Sequence, residues 1–115
     1  MDNEYIRLSL NGFESDERKL ERVQRAMHEV SVAAAFLKRE FSVNQVVLFG
    51  SLTEPGRFGA HSDIDLAVSG IQITDYYRAN SMLMDIINGF DFDLVDMDAC
   101  KPVILDNIKR TGVIL

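Results

Sequence analysis

The segment Val46-Val47-Leu48-Phe49-Gly50-Ser51, followed after eleven residues by Asp63-Ile64-Asp65-Leu66-Ala67-Val68, sets the architecture of this chain. Four apolar residues ending at a glycine fit a buried strand that arrives at a tight turn. Gly50 lets the backbone come close to a ligand. Ser51 adds a hydroxyl beside main-chain N–H groups, and a helical turn at that point would favour a phosphate through its free amides and dipole. A Gly-Ser pair after an apolar run is common in plain turns, so the weight of the reading falls on the residues that follow.

Those residues alternate. Side chains on a strand point to opposite faces in turn, so Asp63 and Asp65 share one face while Ile64, Leu66 and Val68 pack on the other. Two carboxylates about 6.5–7 Å apart along one strand repel each other in a poorly solvated cleft, and a divalent cation relieves that repulsion. A second acidic strand, Phe90-Asp91-Phe92-Asp93-Leu94-Val95-Asp96, repeats the pattern with Phe90, Phe92 and Leu94 on one face. If it lies beside the first, about 4.8 Å away, Asp93 converges on the same ion. Asp93 is preferred to Asp91 because it lies deeper in the strand, and Asp96 has the wrong parity. Three carboxylates suit Mg²⁺, which keeps several waters and takes further ligands from substrate phosphates. Two such ions about 3.5–4 Å apart can stabilise the attacking and leaving oxygens of an in-line displacement.

Phe49-Gly50-Ser51, Ser62-Asp63-Ile64-Asp65-Leu66-Ala67-Val68 and Phe92-Asp93-Leu94-Val95-Asp96, taken in order, resemble the minimal nucleotidyltransferase family of the polymerase-beta-like superfamily. The ending is similar too: a short helix and a glycine precede a last apolar strand, as in Ile104 to Leu115. The resemblance covers roughly residues 44 to 115. It implies that Gly50 and Ser51 hold nucleotide phosphates, that Asp63 and Asp65 bind catalytic Mg²⁺, and that Asp93 is a third acid able to bind metal and to activate an attacking hydroxyl. It also implies ATP as donor, transfer of a nucleoside monophosphate and release of pyrophosphate. Relatives of this size often sit beside a helical HEPN-domain protein as antitoxin beside toxin. The expected role is therefore an antitoxin that adenylylates a hydroxyl of its partner. The alternatives are a module that neutralises the partner by binding alone, or an enzyme that adenylylates a small molecule together with a helical subunit.

The chain departs from the family pattern after Ser51, where relatives often carry a basic residue and this sequence reads Leu52-Thr53-Glu54-Pro55. Pro55-Gly56 should end any helix begun at Ser51 within about a turn. Arg57 is the nearest cation able to reach a triphosphate.

With 115 residues and 47% hydrophobic content the chain can build one core. A net charge of −6 without a Lys/Arg cluster argues against broad contact with nucleic-acid phosphates and favours a basic partner surface. The lone Cys100 makes no internal disulfide and belongs to no metal-thiolate spacing. The acidic N-terminus lacks a signal-peptide pattern and no segment is long enough to span a bilayer, so a cytoplasmic setting is expected.

Leu20, Val23, Met27, Val30, Ala34, Leu37 and Phe41 recur at spacings of three and four, which predicts a long helix over residues 15–41 with Ser15 as N-cap. The stripe can pack across the sheet or serve as a seam for a partner helix. Tyr5 to Leu10 alternates weakly, so residues 1–14 are read as an arm or edge strand. Thr74 is expected to cap a second helix that runs to about Asn88 and is stopped by Gly89, with Tyr76, Ala79, Leu83, Ile86 and Phe90 inward. Tyr76 and Tyr77 read as core or rim residues and His61 as a loop residue near the acids. Pro102 suits the first turn of a short last helix. The expected fold is α/β (α+β), a mixed sheet packed against helices, with residues 15–115 as one domain and the catalytic core at 44–115. Oligomerisation is possible.

Overall fold

The computed structural model describes residues 15–115. The expected N-terminal arm lies outside the described residues. Helix α1 runs Asp16–Phe41. Ser15 caps it as predicted: its Oγ accepts a hydrogen bond from the Arg18 N–H at 3.2 Å. Asp16 and Glu17 in the first turn and Lys38 and Arg39 in the last complement the helix dipole. The buried face comprises Ala26, Val30, Ala33, Ala34, Phe36, Leu37 and Phe41. The predicted stripe holds from Val23 onward, with Val23 and Met27 partly buried against the core and Val30, Ala34, Leu37 and Phe41 buried in it, whereas Leu20 is 58% exposed. Helix length explains the difference. Twenty-six residues span about 39 Å, and a five-residue strand only about 17 Å, so the first turns have no sheet beneath them.

Strands β1 (Gln45–Phe49), β2 (Ile64–Ser69), β3 (Phe92–Asp96) and β4 (Val113–Ile114) form one sheet in the order β3-β2-β1-β4. β1 is antiparallel to β2 and β4, and β2 is parallel to β3. The sheet is therefore mixed, as expected. Helix α2 (Ile73–Ile86) makes the crossover that parallel neighbours require. Thr74 is not its cap: Gln72 holds that position without a side-chain hydrogen bond, so the helix starts two residues earlier than a Thr74 cap implies, and it ends two residues earlier than predicted, where Ile87 turns extended and buries its side chain. Helix α3 (Pro102–Thr111) opens with the predicted proline.

The alternation splits the sheet into two faces. Val46, Leu48, Ile64, Leu66, Val68 and Leu94 form the main core with α1 and α2. On the opposite face Val47, Phe49 and Ala67 meet Ile108 of α3. This second face is only partly covered, and it is the face that carries the acids. At the other edge Leu115 N–H donates to the Val46 carbonyl at 2.9 Å, and Lys38 Nζ donates to the Leu115 carbonyl at 2.7 Å. Among the described residues no helix is long and apolar enough to cross a membrane.

Candidate active site

β1 delivers Gly50 to the end of the sheet with φ +77°, a conformation that favours glycine. Gly50–Thr53 form a single 3₁₀ turn. The turn is locked from inside: Thr53 Oγ1 donates to the Gly50 carbonyl at 2.7 Å, and Glu54 N–H donates to the Ser51 carbonyl at 3.1 Å. A second short turn, Pro55–Arg57, follows. The helix after Ser51 thus stops where Pro55-Gly56 predicted. Arg57 does not point at an unshared anion here, since its Nη1 bonds Glu54 Oε2 at 2.5 Å.

The sheet register brings the acids together. Phe49 pairs with Asp65 across β1 and β2, and Asp65 pairs with Asp93 across β2 and β3. Phe49, Asp65 and Asp93 therefore form a row over three adjacent strands, with about 4.8 Å between neighbours. Asp63 stands one residue before β2, outside the strand proper, where the Ile64 N–H bonds the Asp91 carbonyl at 2.9 Å. Asp65 is half-buried, while Asp63 and Asp93 are exposed. Burial, then the charge of Asp93, then that of Asp63 push the Asp65 carboxyl from 3.8 up to about 6. The three carboxylates thus sense one another, with Asp65 at the focus.

They do not form a finished cage. Among the described residues no three His, Cys, Asp or Glu side chains are gathered as a metal-holding group. What the site offers a divalent cation is hard oxygen donors and an unfavourable concentration of negative charge, the chemistry that Mg²⁺ suits. Gly50 completes the pocket by what it lacks: a Cβ built there would lie 2.0 Å from Asp65 Oδ2. Asp96 is used differently, as its parity predicts, and its Oδ1 accepts the Asp98 N–H at 3.0 Å.

Tyr76 is a rim residue, as expected. Its hydroxyl donates to the Leu94 carbonyl at 2.5 Å, and burial first, then the charges of Tyr77, Asp96 and Asp93, raise its pKa. Tyr77 is exposed and edge-on to it. His61 is exposed on a polar cavity shared with Ser62, Asp63 and Asp91.

A cavity of about 580 Å³ opens on the carboxylate face of the sheet, lined by Phe49, Asp65, Asp93 and Val95 on one side and by Ile104, Asp106, Asn107 and Arg110 of α3 on the other. Sequence reasoning missed Asn107 and Arg110. Their signal is the i, i+3 spacing on the same helix face as Ile104, which can be read only once α3 is known to lie over the acids.

The polymerase beta nucleotidyltransferase family model matches residues 33–115. The chain belongs to the polymerase beta nucleotidyltransferase family. Among solved structures this nucleotidyltransferase is similar in fold to a mutant of the MntA–HpeT toxin–antitoxin, with a TM-score of 0.60, 20% identity, and coverage of 75% of this chain and 70% of that one. A toxin–antitoxin with AMP-PNP gives a TM-score of 0.58, 21% identity and coverage of 87% and 72%. The tri-AMPylated Shewanella oneidensis HEPN toxin in complex with MNT antitoxin gives 0.55, 19% identity and coverage of 78% and 70%. No curated protein matches the sequence significantly. At these identities the solved structures speak for the fold, and the family match speaks for the nucleotidyltransferase assignment.

Proposed function

We propose that this nucleotidyltransferase moves AMP from ATP to a hydroxyl of a helical HEPN-type partner protein, and that it acts as the antitoxin of such a pair. The observation that carries the proposal is the row Phe49–Asp65–Asp93, which puts a carboxylate midway between the Gly50-Ser51 turn and the third acid. That order suits an in-line displacement. The leaving pyrophosphate would lie over β1 against Gly50 and Ser51, the α-phosphate over β2, and the acceptor hydroxyl over β3 at Asp93.

In the reaction the acceptor oxygen forms a bond to the α-phosphorus while the bond to the bridging oxygen of pyrophosphate breaks. The acceptor proton passes to the Asp93 carboxylate, which must sit within hydrogen-bond reach of it. Asp63, Asp65 and Asp93 would hold Mg²⁺, in two ions, and the metal would supply charge stabilisation to the attacking and leaving oxygens. Ser51 and the turn amides orient the phosphates, and Arg57 reaches the outer phosphate only by releasing Glu54. ATP use and a single thiol suit a reducing cytoplasm. The net charge of −6 disfavours a nucleic-acid acceptor, whose phosphates would meet several carboxylates.

A rival reading, neutralisation by binding without chemistry, draws on the missing cation after Ser51 and the open carboxylate arrangement. The test is incubation with labelled ATP, Mg²⁺ and the protein encoded beside it. Label on that protein, lost in Asp63→Asn, supports transfer. A stable complex without label supports the rival. Label on a soluble metabolite supports the third reading, a small-molecule acceptor.

A further inference from the structure

We infer that Arg110 of α3 is the cation that holds the donor's phosphates over the carboxylate face of the sheet, and that Asn107 is a polar contact for its nucleoside. The inference rests on the proposed nucleotidyl transfer and specifies where its donor sits. Asp65 and Asp93 open together into the cavity between the sheet and α3. Its volume of about 580 Å³ falls in the range of small-molecule sites, roughly 300–1,000 Å³.

The charge balance calls for a cation here. A triphosphate brought beside Asp65, Asp93 and Asp106, which all line this cavity, meets like charge and calls for a cation. Leu52, Thr53 and Glu54 follow Ser51, and Arg57 is bound to Glu54 on the outside of the turn. Arg110 lines the cavity together with Asp65 and Asp93. Its present partner is Asp106, at 3.7 Å one helical turn away, with both side chains largely exposed. Such a pair contributes little and yields readily to a phosphate. A guanidinium also matches two phosphate oxygens at once, which an ammonium does not.

The fold brings the helix that carries this cation close to the phosphate turn. α3 crosses the face toward β1 and packs against the Gly50–Thr53 turn. Its last turn is pressed onto β1: Ile108 is buried among Val47, Phe49 and Ala67, and a Cβ on Gly112 would come within 2.5 Å of Val47 Cγ1. Arg110 lies between these two contacts in sequence. Asn107, one turn earlier, and Ile104 and Val95 beyond it leave an apolar slot with one amide for the base and ribose.

The experiment measures AMP-PNP binding with Mg²⁺ by calorimetry on the full chain, with circular dichroism as the check on folding. Arg110→Ala should weaken binding about tenfold, Arg110→Lys should recover part of the loss, and Asp106→Ala should leave affinity unchanged or tighter because it frees the guanidinium. Binding by Arg110→Ala equal to that of the unaltered chain would overturn the inference and leave the transfer reaction standing. Equal weakening by Asp106→Ala and Arg110→Ala would reduce Arg110 to a structural partner and overturn it too. Failure of the unaltered chain to bind AMP-PNP would remove the transfer reading and this inference with it.

Discussion

Gly50 and Asp65 compete for one space. A Cβ on Gly50 would lie 2.0 Å from Asp65 Oδ2 and 2.9 Å from its carboxyl carbon, so the carboxylate occupies the volume that every other residue would fill. Gly50→Ala should therefore displace the carboxylate at the centre of the acidic row. The positive φ adds strain of about 1–3 kcal/mol. The expected result is loss of most transfer activity with a modest fall in melting temperature, measured by label transfer and thermal unfolding. Retention of full activity would show that Asp65 is not held in place by the missing side chain.

Folding raises the Asp65 carboxyl from 3.8 to about 6, chiefly by burial and then through Asp93 and Asp63. The native state thus keeps a proton that the unfolded chain releases, and this contributes stability below about pH 4 that is lost as pH rises through about 6. Asp65 is half-buried, so solvent screening brings the effect down to the order of 1 kcal/mol. Without divalent ions, stability should fall across that interval, and Asp65→Asn should flatten the slope and raise the melting temperature at neutral pH. Mg²⁺ should stabilise the unaltered protein at neutral pH and much less near pH 5, where protons compete for the same oxygens. Urea titrations at several pH values, with and without Mg²⁺, check this.

The readable parts of the sequence were those where one local rule sufficed. Alternation placed Ile64, Leu66 and Val68 in the core and Asp65 and Asp93 on the other face, and the strand parity separated Asp93 from Asp96. Capping chemistry located the start of α1 at Ser15, and Pro55-Gly56 marked the end of the turn after Ser51. What the chain did not disclose depends on distant partners. Leu20 fits the apolar stripe but overhangs the sheet, because periodicity carries no information about where a strand ends. Ala26, Ala33 and Phe36 are buried without belonging to the narrow stripe, since α1 meets both the sheet and α2. Asn107 and Arg110 became candidates only when α3 was seen to cross the carboxylate face.

Tyr76 ties α2 to the outer edge of the sheet through its hydroxyl and the Leu94 carbonyl. The Ile64–Asp91 and Met97–Val68 hydrogen bonds show that residues of odd number on β3 face β2, so the Leu94 carbonyl points outward and would otherwise await a partner. Tyr76→Phe should cost about 1 kcal/mol in urea denaturation. Transfer activity should remain close to that of the unaltered protein, because Tyr76 lies outside the row of acids.

Gly112 sets the height of α3 above the sheet. A Cβ there would meet the Ile108 carbonyl at 2.4 Å and Val47 Cγ1 at 2.5 Å. Gly112→Val should push the end of α3 outward, with a stability loss of about 1–3 kcal/mol from overpacking and weaker AMP-PNP binding. Arg110→Ala should weaken binding without the stability loss. Thermal unfolding and calorimetry on the two variants separate placement of the helix from the charge it carries.

The most direct measurement is transfer of label from α-labelled ATP, with Mg²⁺, to the partner protein by the unaltered chain and by Asp63→Asn, Asp65→Asn and Asp93→Asn. The account predicts label on the partner from the unaltered chain, and loss of about a hundredfold or more in each variant while all three remain folded. Label that persists in the three variants, or a partner neutralised with none on it, would contradict the assignment of these carboxylates to nucleotidyl transfer.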